Sequence, residues 1–485
     1  MTQASRQRIL LRNAIVLTLG GGDELLTGTD ILIEDGAIAA VGEVQAEKRA
    51  TCDRVLDLTG RLVVPGFVNG HLHSPATLCP GTIDAASHPI FMWLNQADSA
   101  ARTPREIYVS AMLGCLQMLQ TGTTSVIDHF PEQNFSPADV EAVVKAYEDS
   151  GMRAVVALRI FDGEYDDIFP DPAKAPPGLI DRLQRISPLR PQPLAKTVEL
   201  VEHCIGRWNG HAGRIGIFPA PSNPSRCSDA LMTASQDIAE KHDVGVHTHL
   251  LETKAQDRIA RDKYGCSMVE HLDRLGVLTH RLSCAHSNWV SEDDMVRMAR
   301  AGAVAVHNPE SNMKFGSGLA PVRAMKRLGV PVALGTDGAS HNDNLILHNV
   351  LQLVALLHRN GEPDRSQWIV ARDALRMATE GGAKAMLLED KIGSIAVGKR
   401  ADLVVYDLSA PWWIPFNDPV QQLVHAENGS SVDTVLVDGR IVIESKRAVL
   451  FDGEAIKDEA RAMLGTIRAR NAELGGVVRE IEAIL

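Results

Sequence analysis

Two histidines one residue apart, His71 and His73 in the segment PGFVNGHLH, are the first residues of this chain whose type and spacing could do chemistry. In an extended backbone positions i and i+2 face the same way, so the two imidazoles can grip one ion. Further along, His249, His286, His307 and Asp337 each stand near the end of a short apolar run, in VGVHTHL, LSCAHS, AVAVHNP and VALGTDG respectively. Any one of them alone reads as well as a hydrogen-bonded polar residue. Their recurrence at the same end of successive runs argues for one shared centre. Imidazoles with a carboxylate form a donor set that suits Zn(II), and Fe(II), Mn(II) or Co(II) almost as well. A divalent ion held this way brings the pKa of a bound water towards neutrality, which is hydrolytic chemistry.

Such a centre needs a scaffold that aims many strand ends at one point. In barrel enzymes the catalytic side chains project from the C-terminal ends of the strands. From Val64 to about Leu388 the runs VPGFVNGH, TTSVIDH, MRAVVALRI, RIGIFPAP, VGVHTHL, LSCAHS, AVAVHNP and VALGTDG alternate with helix-period stretches. That alternation predicts an α/β fold, a closed parallel (β/α)8 TIM-like barrel rather than an open sheet. On either side lie short alternating strands with Asp-Gly turns at Asp35-Gly36 and Asp438-Gly439, which predict a small β-sandwich split by the barrel. The expected organisation is an N-terminal sandwich segment over 1–63, the barrel over 64–388, a C-terminal sandwich segment over 389–453, and a terminal helix over 454–485 rich in Ala, Glu, Arg and Leu.

Bulk composition narrows the partners. With 485 residues the chain exceeds what one core usually holds, which favours two domains. No apolar run approaches the roughly 20 residues needed to cross a bilayer, and the basic-then-apolar N-terminus lacks a small-residue cleavage site. The seven scattered cysteines never form C-x-x-C, so a disulfide framework and a zinc ribbon are both disfavoured and a reducing cytoplasm is expected. A net charge of −12 and 4% aromatics leave no basic or stacking surface for nucleic acid.

The ordered segments PGFVNGHLH, HTHLLET, CAHSNW, HNPESNMKFGSGLAPV and GTDGASHND, closing with GSIAVGKRADLVVYDL, resemble the amidohydrolase superfamily. They are most similar to its chlorohydrolase and aminohydrolase branch, which includes triazine hydrolases and deaminases of S-adenosylhomocysteine, guanine and 8-oxoguanine. The resemblance spans essentially the whole chain. It implies one divalent metal ion, most simply Zn(II), held by His71, His73, His249 and Asp337. It makes Glu252 of the H-x-x-E element the proton shuttle, has His286 position the attacking water, and lets Asp337 accept a proton while remaining a ligand. His247 is then supporting or packing, Asn308, Ser311 and Asn312 shape the loop and support the metal shell, and His307 is a supporting hydrogen bonder.

The implied function is hydrolytic deamination of a small nitrogen heterocycle of purine, pterin, pyrimidine or triazine type, with metal-bound hydroxide attacking the amine-bearing carbon. The alternative keeps the site and cleaves an amide, urea, carbamate or aryl halide. A remoter alternative is a non-enzymatic scaffold, but such relatives typically lose ligands that this chain retains. A deaminase of the cytidine type is excluded, since H-x-E with P-C-x-x-C is missing. Two departures from the family matter. No Lys ends the fourth strand, which favours one metal over two. Pro219-Ala220-Pro221-Ser222 stands where several adenosine-type deaminases carry a His, which weakens a nucleoside substrate. Trp93, His129 beside Asp128, and His341 are candidate contacts to a small-molecule substrate. Family habit and the terminal helix point to a homo-oligomer, a dimer or larger.

Overall fold

The computed structural model describes residues 7–20, 25–163 and 177–482. Two strand systems organise it. The first is a nine-stranded, mostly antiparallel sheet drawn from both ends of the chain. Its N-terminal members are Arg8–Leu17, Leu25–Glu34, Ala37–Gly42, Arg54–Asp57 and Arg61–Pro65, and its C-terminal members are Leu403–Asp407, Val432–Val437, Arg440–Glu444 and Arg447–Ala448. The halves join where Arg61–Pro65 runs antiparallel to Leu403–Asp407, with Val64 opposite Val404. Alternation along these strands buries Ile9, Leu11, Ile31, Ile33, Val63, Leu403 and Val405 in one cluster, and Leu10 and Leu32 in another. Both Asp-Gly pairs adopt left-handed backbone, at φ 51° and 80° for Asp35-Gly36 and 53° and 73° for Asp438-Gly439. Positive φ at both central residues is the type I′ hairpin geometry. The two turns also touch, since a Cβ on Gly439 would approach Gly36 Cα to 2.5 Å.

The second system is eight parallel strands in two four-stranded sheets. Phe67–Leu72, Thr123–Phe130, Arg153–Ile160 and Ile215–Pro221 form one; Val246–Leu250, Leu282–His286, Val304–His307 and Val332–Leu334 form the other. Nearly every residue in them is buried, as expected of strands covered on both faces. Polar bonds stitch the sheets at both edges. Thr248 Oγ1 donates to Pro221 O at 2.7 Å and His249 N to Ser222 O at 3.2 Å. On the other side Asn69 Nδ2 donates to Thr336 Oγ1 at 2.8 Å, and Asp337 N to His71 O at 3.0 Å.

The structure departs from the sequence-based expectation in two places. The run VPGFVNGH is not one strand. Val64 and Pro65 belong to the nine-stranded sheet, Gly66 donates to Asp402 O at 2.9 Å, and the parallel strand begins at Phe67. A side chain at Gly66 would collide with Thr124, so glycine lets the chain turn between the two systems. The C-terminal segment is two helices, Gly453–Arg470 and Ala472–Glu482, broken at Asn471, while residues 483–485 lie outside the described residues. The break is used: Arg470 forks onto Glu106 with bonds of 2.7 and 2.9 Å, and Asn471 Nδ2 donates to Ala100 O at 2.9 Å. The terminal segment thereby clasps two helices next to the first strand, His88–Ser99 and Pro104–Gln120. The latter starts at a capping box formed by Thr103 and Glu106.

Candidate active site

The C-terminal ends of the parallel strands converge on a cavity lined among others by His73, His249, Glu252, His286, Asp337 and His341. Four imidazoles at this end share one arrangement. His73 Nδ1 lies 3.0 Å from His129 O and 2.9 Å from Glu132 Oε1. His249 Nδ1 lies 2.7 Å from Ser222 O, and His286 Nδ1 lies 2.8 Å from Asn312 Oδ1. His71 Nδ1 lies 2.8 Å from His247 Nε2, whose own Nδ1 lies 2.7 Å from Ser283 Oγ, and that hydroxyl donates to Val246 O at 3.3 Å. The pattern is consistent throughout. Each Nδ1–H donates outward to an oxygen or to the His247 relay, which leaves each Nε2 lone pair pointing inward.

The inward atoms lie close together. His249 Nε2 is 3.4 Å from His73 Nε2, and Asp337 Oδ1 is 3.6 Å from His71 Nε2, 3.4 Å from His73 Nε2 and 3.5 Å from His341 Nε2. Three donor sets fall within 4.8 Å: His71 with His73 and His249, His71 with His286 and Asp337, and His73 with Asp337 and His341. They overlap at His71, His73 and Asp337, so they describe one locus. His71 Nε2 is buried with no hydrogen-bond partner. A buried acceptor left unpaired is costly, and a cation is the natural partner for it. The donor set therefore fits a divalent ion.

The electrostatics agree for two of the rings, whereas at His73 burial would lower the pKa but the Glu132 carboxylate outweighs it and raises it. Burial, reinforced by the surrounding imidazoles, drives the His71 and His249 pKa values well below normal, which keeps both rings neutral and able to ligate. For Asp337, burial would raise the pKa, but His341, His286 and His73 overcome it and hold the carboxyl ionised. Backbone strain is present here as well: His286 and Asp337 adopt φ of 71° and 61°, and Leu251, beside Glu252, adopts 46°. Gly335 makes room for this turn, because a Cβ there would overlap Asn308 Oδ1 and approach His71 Cβ to 3.0 Å.

Glu252 stands beside the cluster with Oε1 3.9 Å from His286 Nε2. Its N–H donates to Gln256 Oε1 at 2.8 Å, and its carbonyl accepts from Asn288 Nδ2 at 2.9 Å. Asn312 Nδ2 in turn donates to Asn288 Oδ1 at 2.8 Å, so one amide chain supports both His286 and Glu252.

The candidate substrate contacts separate. His341 lines the cavity, its ring stacked 5.4 Å from that of His73. Trp93 does not line it and is fully buried in the main core. The reason is helical rotation: His88, Met92 and Asn95 share the face of helix His88–Ser99 that turns to the cavity, and Trp93 points away. His129 is also fully buried and is not a lining residue; its ring packs edge-on at 4.6 Å from His249, beneath the cluster. Beside it Asp128 accepts from Ser74 N at 2.9 Å and from Tyr147 Oη at 2.8 Å. His307 pairs through Nε2 with His358 Nε2 at 3.1 Å. Sequence reasoning missed His88, Glu132, Asn95, Asn223, Arg226 and Gln256, all of which line the cavity. Glu132 was within reach, since it follows the second parallel strand by two residues; His88 sits on a helix and carried no such signal.

Comparison with known proteins matches this geometry. Residues 62–442 match the amidohydrolase family. The chain is 34% identical over 471 residues to a 5-methylthioadenosine/S-adenosylhomocysteine deaminase of Syntrophobacter fumaroxidans, covering 96% of this chain and 99% of that protein. It is 32% identical over 475 residues to a 5′-deoxyadenosine deaminase of Methanosarcina acetivorans, covering 95% and 99%. Among solved structures, an adenosine deaminase from Xanthomonas campestris with bound zinc aligns at TM-score 0.80 and 28% identity, covering 95% of this chain and 98% of that one. An atrazine chlorohydrolase from Arthrobacter aurescens complexed with zinc aligns at TM-score 0.84 and 25% identity, covering 94% and 100%. The motifs, the convergent imidazoles and a match that runs from Leu62 to Val442 together show that this chain belongs to the amidohydrolase family.

Proposed function

We propose that this protein is a metal-dependent hydrolytic deaminase of a nitrogen heterocycle, with His71, His73, His249 and Asp337 as ligands of one divalent ion, most simply Zn(II). The observation that carries the reading is the convergence of imidazole Nε2 atoms and Asp337 on one locus with Glu252 and His286 beside it. We read the eight parallel strands as a closed (β/α)8 barrel, supported by the polar bonds at both sheet edges, with the nine-stranded sheet as the split sandwich. When bound, the ion would acidify a water and polarise the reacting carbon. The protein groups divide the remaining work. His286 Nε2, 3.8 Å from Asp337 Oδ2, orients the attacking oxygen through a hydrogen bond. Asp337 accepts a second proton of the water, and Glu252 delivers the two in turn, the first to the ring nitrogen and the second to the leaving amine. His341, in the wall beside Asp337, meets the substrate.

The relatives bear the names of adenosine-type deaminases, so such compounds head the substrate panel even though Ser222 and Asn223, and no histidine, occupy the wall after the fourth parallel strand. The neighbour named for atrazine dechlorination favours an aryl-halide, amide or urea hydrolase as the second reading. The test is ammonia release by zinc-loaded protein from 5′-modified adenosines, purines, pterins, pyrimidines and aminotriazines, run beside chlorotriazines, amides, ureas and carbamates. Ammonia from a heterocycle supports the first reading, and cleavage only among the second group transfers the site to the alternative. We read the protein as cytoplasmic, which its seven free cysteines support, and as a homo-oligomer, which exposed apolar side chains such as Ile414 and Phe416 support. No helix among the described residues is long and apolar enough to cross a membrane.

A further inference from the structure

The carboxylate of Glu252 has a second histidine on its far side. His88 opens helix His88–Ser99, and its Nε2 lies 3.1 Å from Glu252 Oε2, an ion-pair contact rather than an aligned hydrogen bond, while Oε1 of the same carboxylate faces His286. Both side chains of the pair are buried, 8% and 9% exposed. The main chain at Glu252 is already fixed by Gln256 and Asn288, so the freedom that remains is rotation of the side chain. A glutamate has several rotatable bonds, and holding it in one rotamer carries an entropic cost that a contacting partner can offset. His88 is placed to be that partner.

The helix that bears it is anchored at two further points. Ser340 Oγ donates to Asn95 Oδ1 at 2.8 Å, and the C-terminal segment holds Ala100 through Asn471. Both anchors act through helix His88–Ser99 and the residue that follows it, so the imidazole has a fixed base from which to hold the carboxylate.

Resting on the deaminase reading, we propose that His88 is a positioning residue for Glu252: its Nε2 stands against Oε2 as an electrostatic contact, so that Oε1 alone faces His286 and the reacting atoms. The proton that Glu252 carries then rides on Oε1. An O–H bond forms there as the attacking water loses its proton, and it breaks as the ring nitrogen or leaving amine gains one. His88 keeps its own N–H throughout and is neither acid nor base in the reaction. One oxygen is thereby committed to restraint and the other to transfer, as a shuttle that must reach two acceptors in turn requires.

The test compares His88→Leu with His88→Gln in zinc-loaded enzyme on whichever heterocycle the panel identifies. His88→Leu should lower kcat by about 10²-fold with KM within about threefold, the cost of a misplaced catalytic group. His88→Gln keeps an N–H and should recover about tenfold of that loss. Equal activity in the two variants, or a loss confined to KM, overturns the proposal. A second measurement does not depend on turnover. In ¹⁵N-histidine-labelled, zinc-loaded protein the His88 Nε2 signal, identified by its absence in His88→Gln, should move in Glu252→Gln. The His271 signal should stay, because His271 Nε2 bonds Asp229 at 2.8 Å on the surface. An unmoved His88 signal overturns the proposal even if the enzyme deaminates. If no heterocycle yields ammonia, the deaminase reading fails and the labelled-histidine result alone decides the contact.

Discussion

Two buried ionic centres lie at opposite ends of the parallel strands, and they are built on opposite principles. At the N-terminal end Arg153 forks onto Asp402 with bonds of 2.7 and 3.0 Å and reaches Asp438 at 3.3 Å, while Asp438 N donates to Asp402 Oδ1 at 2.7 Å. Asp402 also takes Ser125 Oγ at 3.5 Å, so this centre closes on itself and rivets the strand array to the split sheet. At the C-terminal end the partners run outward: each imidazole is tied at Nδ1 and presents Nε2 inward, and His71 Nε2 has no hydrogen-bond partner. The backbone there is also strained, at His286 and Asp337. A buried polar cluster that satisfies itself holds structure together, whereas one that is organised yet left open is poised for a ligand. The same contrast runs through burial energetics, because removing one partner of a closed ion pair strands a charge that the fold then has to carry.

That comparison can be broken by experiment. The largest effect is expected at Glu252. Glu252→Gln should lower turnover by about 10²–10⁴-fold while zinc content and melting temperature stay at the wild-type level, read by ammonia release, metal analysis and calorimetry. Undiminished turnover would remove Glu252 from the reaction. Asp402→Ala should do the reverse, costing about 3–5 kcal/mol of stability in chemical denaturation, with activity per folded molecule unchanged. If Asp402→Ala instead loses zinc, the two centres are not independent. Next comes His247→Ala, which cuts the relay from His71 Nδ1 to Ser283 and should weaken zinc binding by about 10–100-fold in competition with a chelator. Unaltered affinity would make His247 a packing residue only.

The smallest effect concerns pH. Burial pushes the Glu310 carboxyl from 4.5 up to about 7, against a hydrogen bond from Asn342 that favours the ionised form. Between those two values the folded protein holds a proton that the unfolded chain has lost, so stability falls as pH rises through that window. Glu310→Gln should remove this contribution to the slope from melting temperatures measured between pH 5 and 8. An unchanged slope would assign the dependence to other groups.

Much of the fold and of the site is legible in the sequence because periodicity and position carry it. The apolar runs ending in His73, His249, His286 and Asp337 announce strands and the end at which their polar residues gather. The Asp-Gly turns at 35–36 and 438–439 announce hairpins for the same kind of local reason, since few residue pairs accept two left-handed conformations in succession. Rotation on a helix is not legible. Trp93 and His88 lie on the same helix, and the residue that sequence reasoning singles out points into the core while the one it passes over points into the cavity.

What the amino-acid order determined by itself is therefore the set of donors, their placement at strand ends and the split of the sheet around the strand array, because each depends on a residue and its near neighbours. Only the tertiary structure decided which nitrogen of each imidazole is tied and which is presented, that Glu132 stands behind His73, and that His88 meets Glu252 across 164 positions of chain. Those are contacts between distant segments, set by how helices pack on strands, and no local pattern encodes the angle at which a helix meets a sheet.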